Sequence, residues 1–155
     1  MAFFREQDAI SGKYAKAYAT IDGRVLELFY AKSLESTIEK NKVDVPVLGK
    51  TNTPQRSAGW VGTGTMTVYY VSSVFRQLMR KYIQTGEDFW FDLMVTNEQP
   101  GSSTGKQTAM LIGCNVDSVV AAQFDATSDD MLEEEIPFTF HDYDIQDQFS
   151  EITGR

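Results

Sequence analysis

Hydrophobic and polar positions alternate with period two along most of this chain, and one stretch departs from that rhythm. From Ser72 to Gly86, Val74, Phe75, Leu78, Met79, Tyr82 and Ile83 share one stripe when residues advance about 100° each, which predicts an amphipathic helix. The other side reads Arg76, Gln77, Arg80, Lys81 and Gln84. Ser72 or Ser73 can accept a hydrogen bond from a free first-turn N–H, and Gly86 can adopt the left-handed conformation that closes the last turn.

The period-two stretches predict strands. Tyr14 to Thr20 leads through the hairpin signal Asp22-Gly23 into a second strand, with Leu26, Leu28, Tyr30, Leu34 and Ile38 on one face and Glu27, Ser33, Glu35, Thr37 and Glu39 on the other. A run of that length exceeds the usual strand, so its far half is expected to project past the domain body. Asn41-Lys42 permits a turn, after which Val43, Val45 and Val47 run back towards Gly49. Lys50 to Gly64 has no period, and a mobile loop is expected there that orders against a neighbour through Trp60. Further strands are expected over Thr65 to Val71, around Phe89 to Val95, from Thr108 to Val116, from Ser118 to Phe124 and around Ile136 to Phe140. Pro137 has no backbone donor, so the last strand should be an edge or have one bonding side free. The polar chain beyond Ile145 is expected to be loose. This amounts to a mainly β fold, a barrel or sandwich of about seven or eight strands with one helix across it.

At 155 residues, 42% hydrophobic, the chain is long enough for one domain over 1–155. Within it, 1–9 and 146–155 are expected to be extended arms and 41–64 an extended hairpin and assembly loop. Arg5, Glu6 and Asp8 fall where a signal peptide would need its apolar run, so a soluble protein made in the cytoplasm is expected. Cys114 is the lone cysteine and excludes an intrachain disulfide. The formal net charge is −8, but residues 1–86 carry 12 of the 14 Lys and Arg and only 7 of the 22 Asp and Glu. Such polarity suits head-to-tail association with copies of itself, or signifies only solubility if the charges mix on the folded surface, and the lack of a net basic charge disfavours sequence-specific binding of duplex DNA.

Candidate chemistry fails on spacing. Gly49-Lys50-Thr51 lacks the upstream glycine of a phosphate loop, where Asp44 stands, and Gly101 to Lys106 is one residue too short. His141, the single histidine, falls at a polar strand position without a nucleophile in a strained turn. Asp129, Asp130, Glu133, Glu134 and Glu135 lack the order of a calcium loop and read as a solvated acidic edge. No enzyme, cofactor or metal site is expected.

Five segments carry a resemblance: Ile10 to Lys13 (ISGK), Ile21 to Gly23 (IDG), Ile38 to Lys42 (IEKNK), Gly62 to Thr65 (GTGT) and above all Leu132 to Phe140 (LEEEIPFTF). In the same order over roughly residues 10 to 148, they resemble the tail-tube proteins of PBSX-type phage-like elements and of related contractile tails. The resemblance implies a fold similar to the haemolysin-coregulated protein of type VI secretion, in hexameric rings stacked head-to-tail into a hollow tube. That tube would conduct DNA non-specifically, or form the inner tube of a contractile bacteriocin. It further implies sheath, baseplate and tape-measure partners, no membrane, and residence in the tail of a virion or tail-like particle assembled in the bacterial host cytoplasm. By the same analogy Lys42, Val43, Val45, Val47, Lys50, Arg56 and Trp60 are expected to serve subunit assembly, and Arg76, Arg80 and Lys81 to meet a sheath or neighbour. The alternative is a monomeric β-barrel that binds a ligand or peptide.

Overall fold

The structure, a computed structural model, describes residues 6–28 and 31–150. Eight strands and one helix follow in the order β1 (Ala15–Ile21), β2 (Arg24–Glu27), β3 (Ala31–Asp44), β4 (Gln55–Tyr69), α1 (Val74–Thr85), β5 (Phe91–Glu98), β6 (Lys106–Val116), β7 (Glu133–Phe140) and β8 (Asp142–Asp147). All pairings are antiparallel along the path β2-β1-β5-β6-β7-β4-β3, with β8 added on β6. The path does not close, so β2 and β3 are its two ends.

One strand turns this path into two facing layers. The first part of β6 pairs with β5 and β8, while its last residues, Asn115 and Val116, pair with β7. The register slips between Phe91↔Cys114 and Leu93↔Leu111, where Gly113 takes φ 68 and donates its N–H to Asp92 Oδ1 at 3.1 Å. This extra residue is a bulge, which bends the strand from one layer into the other. Between the layers lie Leu93, Leu111, Met66, Val68, Ile136 and Phe138, all under 2% exposed.

Helix α1 closes this core as the apolar stripe predicts, but over less of its length. Phe75 is buried against Phe91, with ring centroids 5.6 Å apart, and Val74, Leu78 and Met79 pack on the core. Tyr82 and Ile83 remain exposed. Ser72 Oγ accepts from the Val74 N–H at 3.4 Å, and Gly86 at φ 75 donates its N–H to the Tyr82 carbonyl.

Several sequence expectations are corrected. The second strand, expected to be continuous, ends as β2 at Glu27; Leu28 donates its N–H to the Ala17 carbonyl, β3 begins at Ala31, and Tyr30 lies outside the described residues. There is no turn at Asn41-Lys42, because β3 continues to Asp44 and the chain reverses over 45–54, with the Val45 N–H bonded to the Pro54 carbonyl at 2.7 Å. Gln55 to Gly64, expected to be a mobile loop, is the first part of β4. Ser118 to Phe124 is irregular rather than a strand. Beyond Ile145, β8 runs on to Asp147, fastened where the Thr108 hydroxyl donates to Asp147 Oδ2 at 3.0 Å; the outermost residues of both expected arms, 1–5 and 151–155, lie outside the described residues. Pro137 meets its expectation: its carbonyl accepts from the Asp117 N–H, on the side where the β6 ladder stops, so its missing donor breaks no ladder bond.

Candidate assembly surface

The β3–β4 hairpin is where this chain differs from a self-contained sandwich. From Ser36↔Gly64 to Asp44↔Gln55 the two strands pair only with each other, save where β7 reaches Gly62, Thr63 and Gly64. Residues 35–44 and 55–61 are all exposed. At about 3.3 Å per residue this arm reaches roughly 30 Å from the core. Between Lys40↔Trp60 and Lys42↔Ser57, Ala58 and Gly59 oppose the single Asn41, a bulge that places Gly59 at φ 124.

The arm has two unlike faces. Leu34, Ser36, Ile38 and Lys40 share theirs with Met66, Gly64, Gly62 and Trp60, continuing the core face. Here the two glycines have a function, because the rings of Phe138 and Phe140 lie so close over Gly64 and Gly62 that an added Cβ would sit 2.5 Å from each ring. Trp60 extends this row, its ring centroid 6.1 Å from that of Phe140, and stays 42% exposed. Ile38, Trp60 and Tyr143 border an open depression of about 480 Å³. The other face carries Glu35, Thr37, Thr63 and Thr65 beside Pro137 and Asp117, around a polar depression of about 350 Å³.

All seven residues expected to serve assembly fall on this hairpin and are exposed. Lys42, Val43, Arg56 and Trp60 are on the strands, and Val45, Val47 and Lys50 in the connection. Leu48 at the tip, absent from that set, is fully exposed.

The expected basic strip on α1 is split. Arg80 and Lys81 are exposed and have no salt bridge among the described residues. Arg76 instead turns inward: its Nη1 donates to both carboxylate oxygens of Glu134, at 2.9 and 3.0 Å, its Nη2 bonds the Ser72 carbonyl, and its guanidinium lies 4.3 Å from the Tyr70 ring centroid. The Glu134 side chain is 3% exposed, so this one member of the expected acidic edge is buried, while Asp129, Asp130 and Glu135 are exposed as expected. Parity carries a signal for this, since Glu134 shares its face with Ile136, Phe138 and Phe140. His141 is exposed at a bend between β7 and β8, its ring 4.8 Å from that of Trp90.

Over residues 2–147 the sequence matches the model of the phage tail tube protein family. The chain belongs to that family. Among its relatives, the phage-like element PBSX protein XkdM of Bacillus subtilis (strain 168) is 37% identical over 147 residues, 95% of this chain and 97% of that protein. Solved structures similar to this tail tube protein include the tube-terminating cap of the anti-feeding prophage, at TM-score 0.70 and 15% identity over 93% of this chain and 95% of the other. The SPP1 tail tube is similar at TM-score 0.62 and 13% identity, covering 94% and 81% of the two chains. At such identities these two likenesses concern the fold: mainly β, eight strands and one helix, as the sequence pattern and the resemblance lead one to expect. In this tail tube protein the hairpin and the last turn of α1 are among the surfaces that expose large apolar side chains.

Proposed function

We propose that this tail tube protein is a structural protomer, not an enzyme, whose copies form hexameric rings stacked head-to-tail into a hollow tube. The observation that carries this reading is the exposed hairpin arm. Ile38, Val43, Val45, Val47, Leu48, Trp60 and Val61 are each at least 39% exposed on one protruding element, an arrangement that a solitary soluble protein has every reason to avoid. β3 also ends the sheet with a long unpaired edge, which a ring of copies would cover. The domain is taken as 1–155, with 41–64 as its assembly hairpin.

The β3–β4–β7 face turned away from the core supports a lumenal role. Between its ends, alternate positions carry Glu35, Glu39, Glu135 and the hydroxyls of Thr37, Thr63 and Thr65; its basic residues stand at the ends, Arg56 opposite Val43 near the tip and Lys32 bound to Glu133 at the other. Carboxylates there would let a phosphate backbone slide past without adhering. Arg80 and Lys81, on the helix, would face a sheath or a neighbouring copy; baseplate and tape-measure proteins complete the partners of such a tube. The particle is a phage tail or a contractile bacteriocin, assembled in the bacterial cytoplasm.

Negative-stain electron microscopy of the purified protein tests the reading. Rings or long hollow tubes are expected. Monodisperse monomer at high concentration, persisting when a baseplate-type seed is supplied, would overturn it.

A further inference from the structure

The β3–β4 pair has a second exposed cluster, at the end opposite the hairpin tip. The pair runs from Ala31↔Val68 to Asp44↔Gln55, so its foot lies by Tyr69 and its tip at 45–54. At the foot the Tyr70 N–H bonds the Leu132 carbonyl at 2.9 Å, which brings 69–71 beside 131–133. Val71 and Met131 are 71% and 77% exposed there, and Tyr69 39%. With Lys32, Asp130 and Glu133, Tyr69 and Met131 line a concavity of about 550 Å³.

Tip and foot are complementary in charge. Around the tip Lys42, Lys50 and Arg56 outnumber Asp44, whose carboxylate accepts from Gln55 Nε2 at 3.1 Å. At the foot Lys32 is bound to Glu133 at 2.7 Å, which leaves Asp129 and Asp130 in surplus. The tip also presents Val45, Val47 and the fully exposed Leu48, apolar groups of a size to enter a concavity edged by Met131 and Tyr69.

We propose that the hairpin tip of one copy docks into the foot of the same strand pair in a second copy, with Leu48 against Met131 and Val71 and with Lys50 and Arg56 towards Asp129 and Asp130. The inference rests on the tube reading and names the landing site of its hairpin. Two different patches make a heterologous contact, which passes from copy to copy, around a ring or along a filament, instead of closing as a pair. Tip and foot lie at opposite ends of the strand pair, so we take the contact to run along β3 and β4, from one ring to the next.

Two experiments on the full chain test it. Reversing the tip charges (K50E with R56E) or the foot charges (D129K with D130K) should each lower the yield of tubes more than about tenfold, the scale of a few mismatched charges. Carrying all four substitutions in one chain should restore tubes. Independently, a chain carrying L48C and M131C, assembled and then oxidised, should give a ladder of covalent oligomers on non-reducing gels that neither single variant gives. Cys114 is fully buried and does not compete. Wild-type tubes with no ladder, or tubes unaffected by either charge reversal, would overturn the docking site and leave the tube reading standing. Absence of wild-type tubes even when seeded would overturn the tube reading and the docking site with it. Should a charge variant fail to fold, the cysteine pair decides.

Discussion

Arg76 and Glu134 form the one deeply buried ion pair among the described residues, and its two halves are not equally replaceable by water. In Arg76→Leu the Glu134 carboxylate would stay enclosed without its two charge-assisted bonds, and a loss of roughly 3–5 kcal/mol of unfolding free energy is expected in urea titration. Replacing both residues by Met should recover most of it, since an apolar pair has no charge to desolvate. Gly64 and Gly62 give a second residue-scale expectation. Gly64→Ala would drive its Cβ into the Phe138 ring and to within 3.0 Å of the Glu35 backbone carbonyl, whereas for Gly62→Ala the three nearest atoms all belong to the Phe140 ring, near the open arm. Thermal unfolding should show Gly64→Ala destabilised by about 1–3 kcal/mol and Gly62→Ala by less. Cys114 gives a third. Burial pushes its thiol up from 9.0 to about 12, so in the folded protein iodoacetamide at pH 8 should label it only after denaturant is added. Below pH 9 the thiol is neutral folded or unfolded and contributes nothing pH-dependent. Between about 9 and 12 the unfolded chain ionises first, and stability should fall across that window, a component missing from Cys114→Ala.

The elements best read from sequence are those whose local chemistry and buried face agree. Asp22 at φ 51 and Gly23 at φ 79 make the β1–β2 turn that Asp-Gly signals, and α1 has its predicted stop at Gly86. The first part of β4 was illegible for a physical reason: Gly62 and Gly64 must be small because Phe138 and Phe140 of another strand lie over them, and Gln55 to Val61 buries neither face within one chain. Alternation cannot appear where neither side is inside. The converse error explains Ser118 to Phe124, whose apolar run Val119 to Ala122 reads as a strand but pairs with none, and whose Phe124 is 88% exposed. β8 was hidden by its aspartates, since it packs chiefly through Tyr143 and is tied by hydrogen bonds. The residues that the resemblance singles out for assembly fall together on one hairpin, although the sequence puts the turn too early, at Asn41-Lys42. At this scale the hairpin should be separable from the fold. Replacing residues 45–54 by Asn-Gly keeps Asp44 opposite Gln55, so circular dichroism and Tm should be nearly unchanged while tube formation is lost.

Taken whole, the molecule has a sandwich core that any single copy can bury and an arm that no single copy can. The uneven distribution of charge along the sequence becomes spatial at the arm's two ends, cationic at the tip and acidic at the foot. If copies cover the arm as proposed, the remaining burial comes by mass action, and apparent stability should rise with protein concentration. The position of Trp60 has an optical consequence. It is one of two tryptophans, and the other, Trp90, lies against His141 at the far side of the β6 bend. In a Trp90→Phe chain the indole on the arm becomes the sole tryptophan emitter, half in water beside Phe140. Subunit packing that covers the arm will dry that ring, so polymerisation should be readable in real time, without a label, as a blue shift of the protein's own fluorescence.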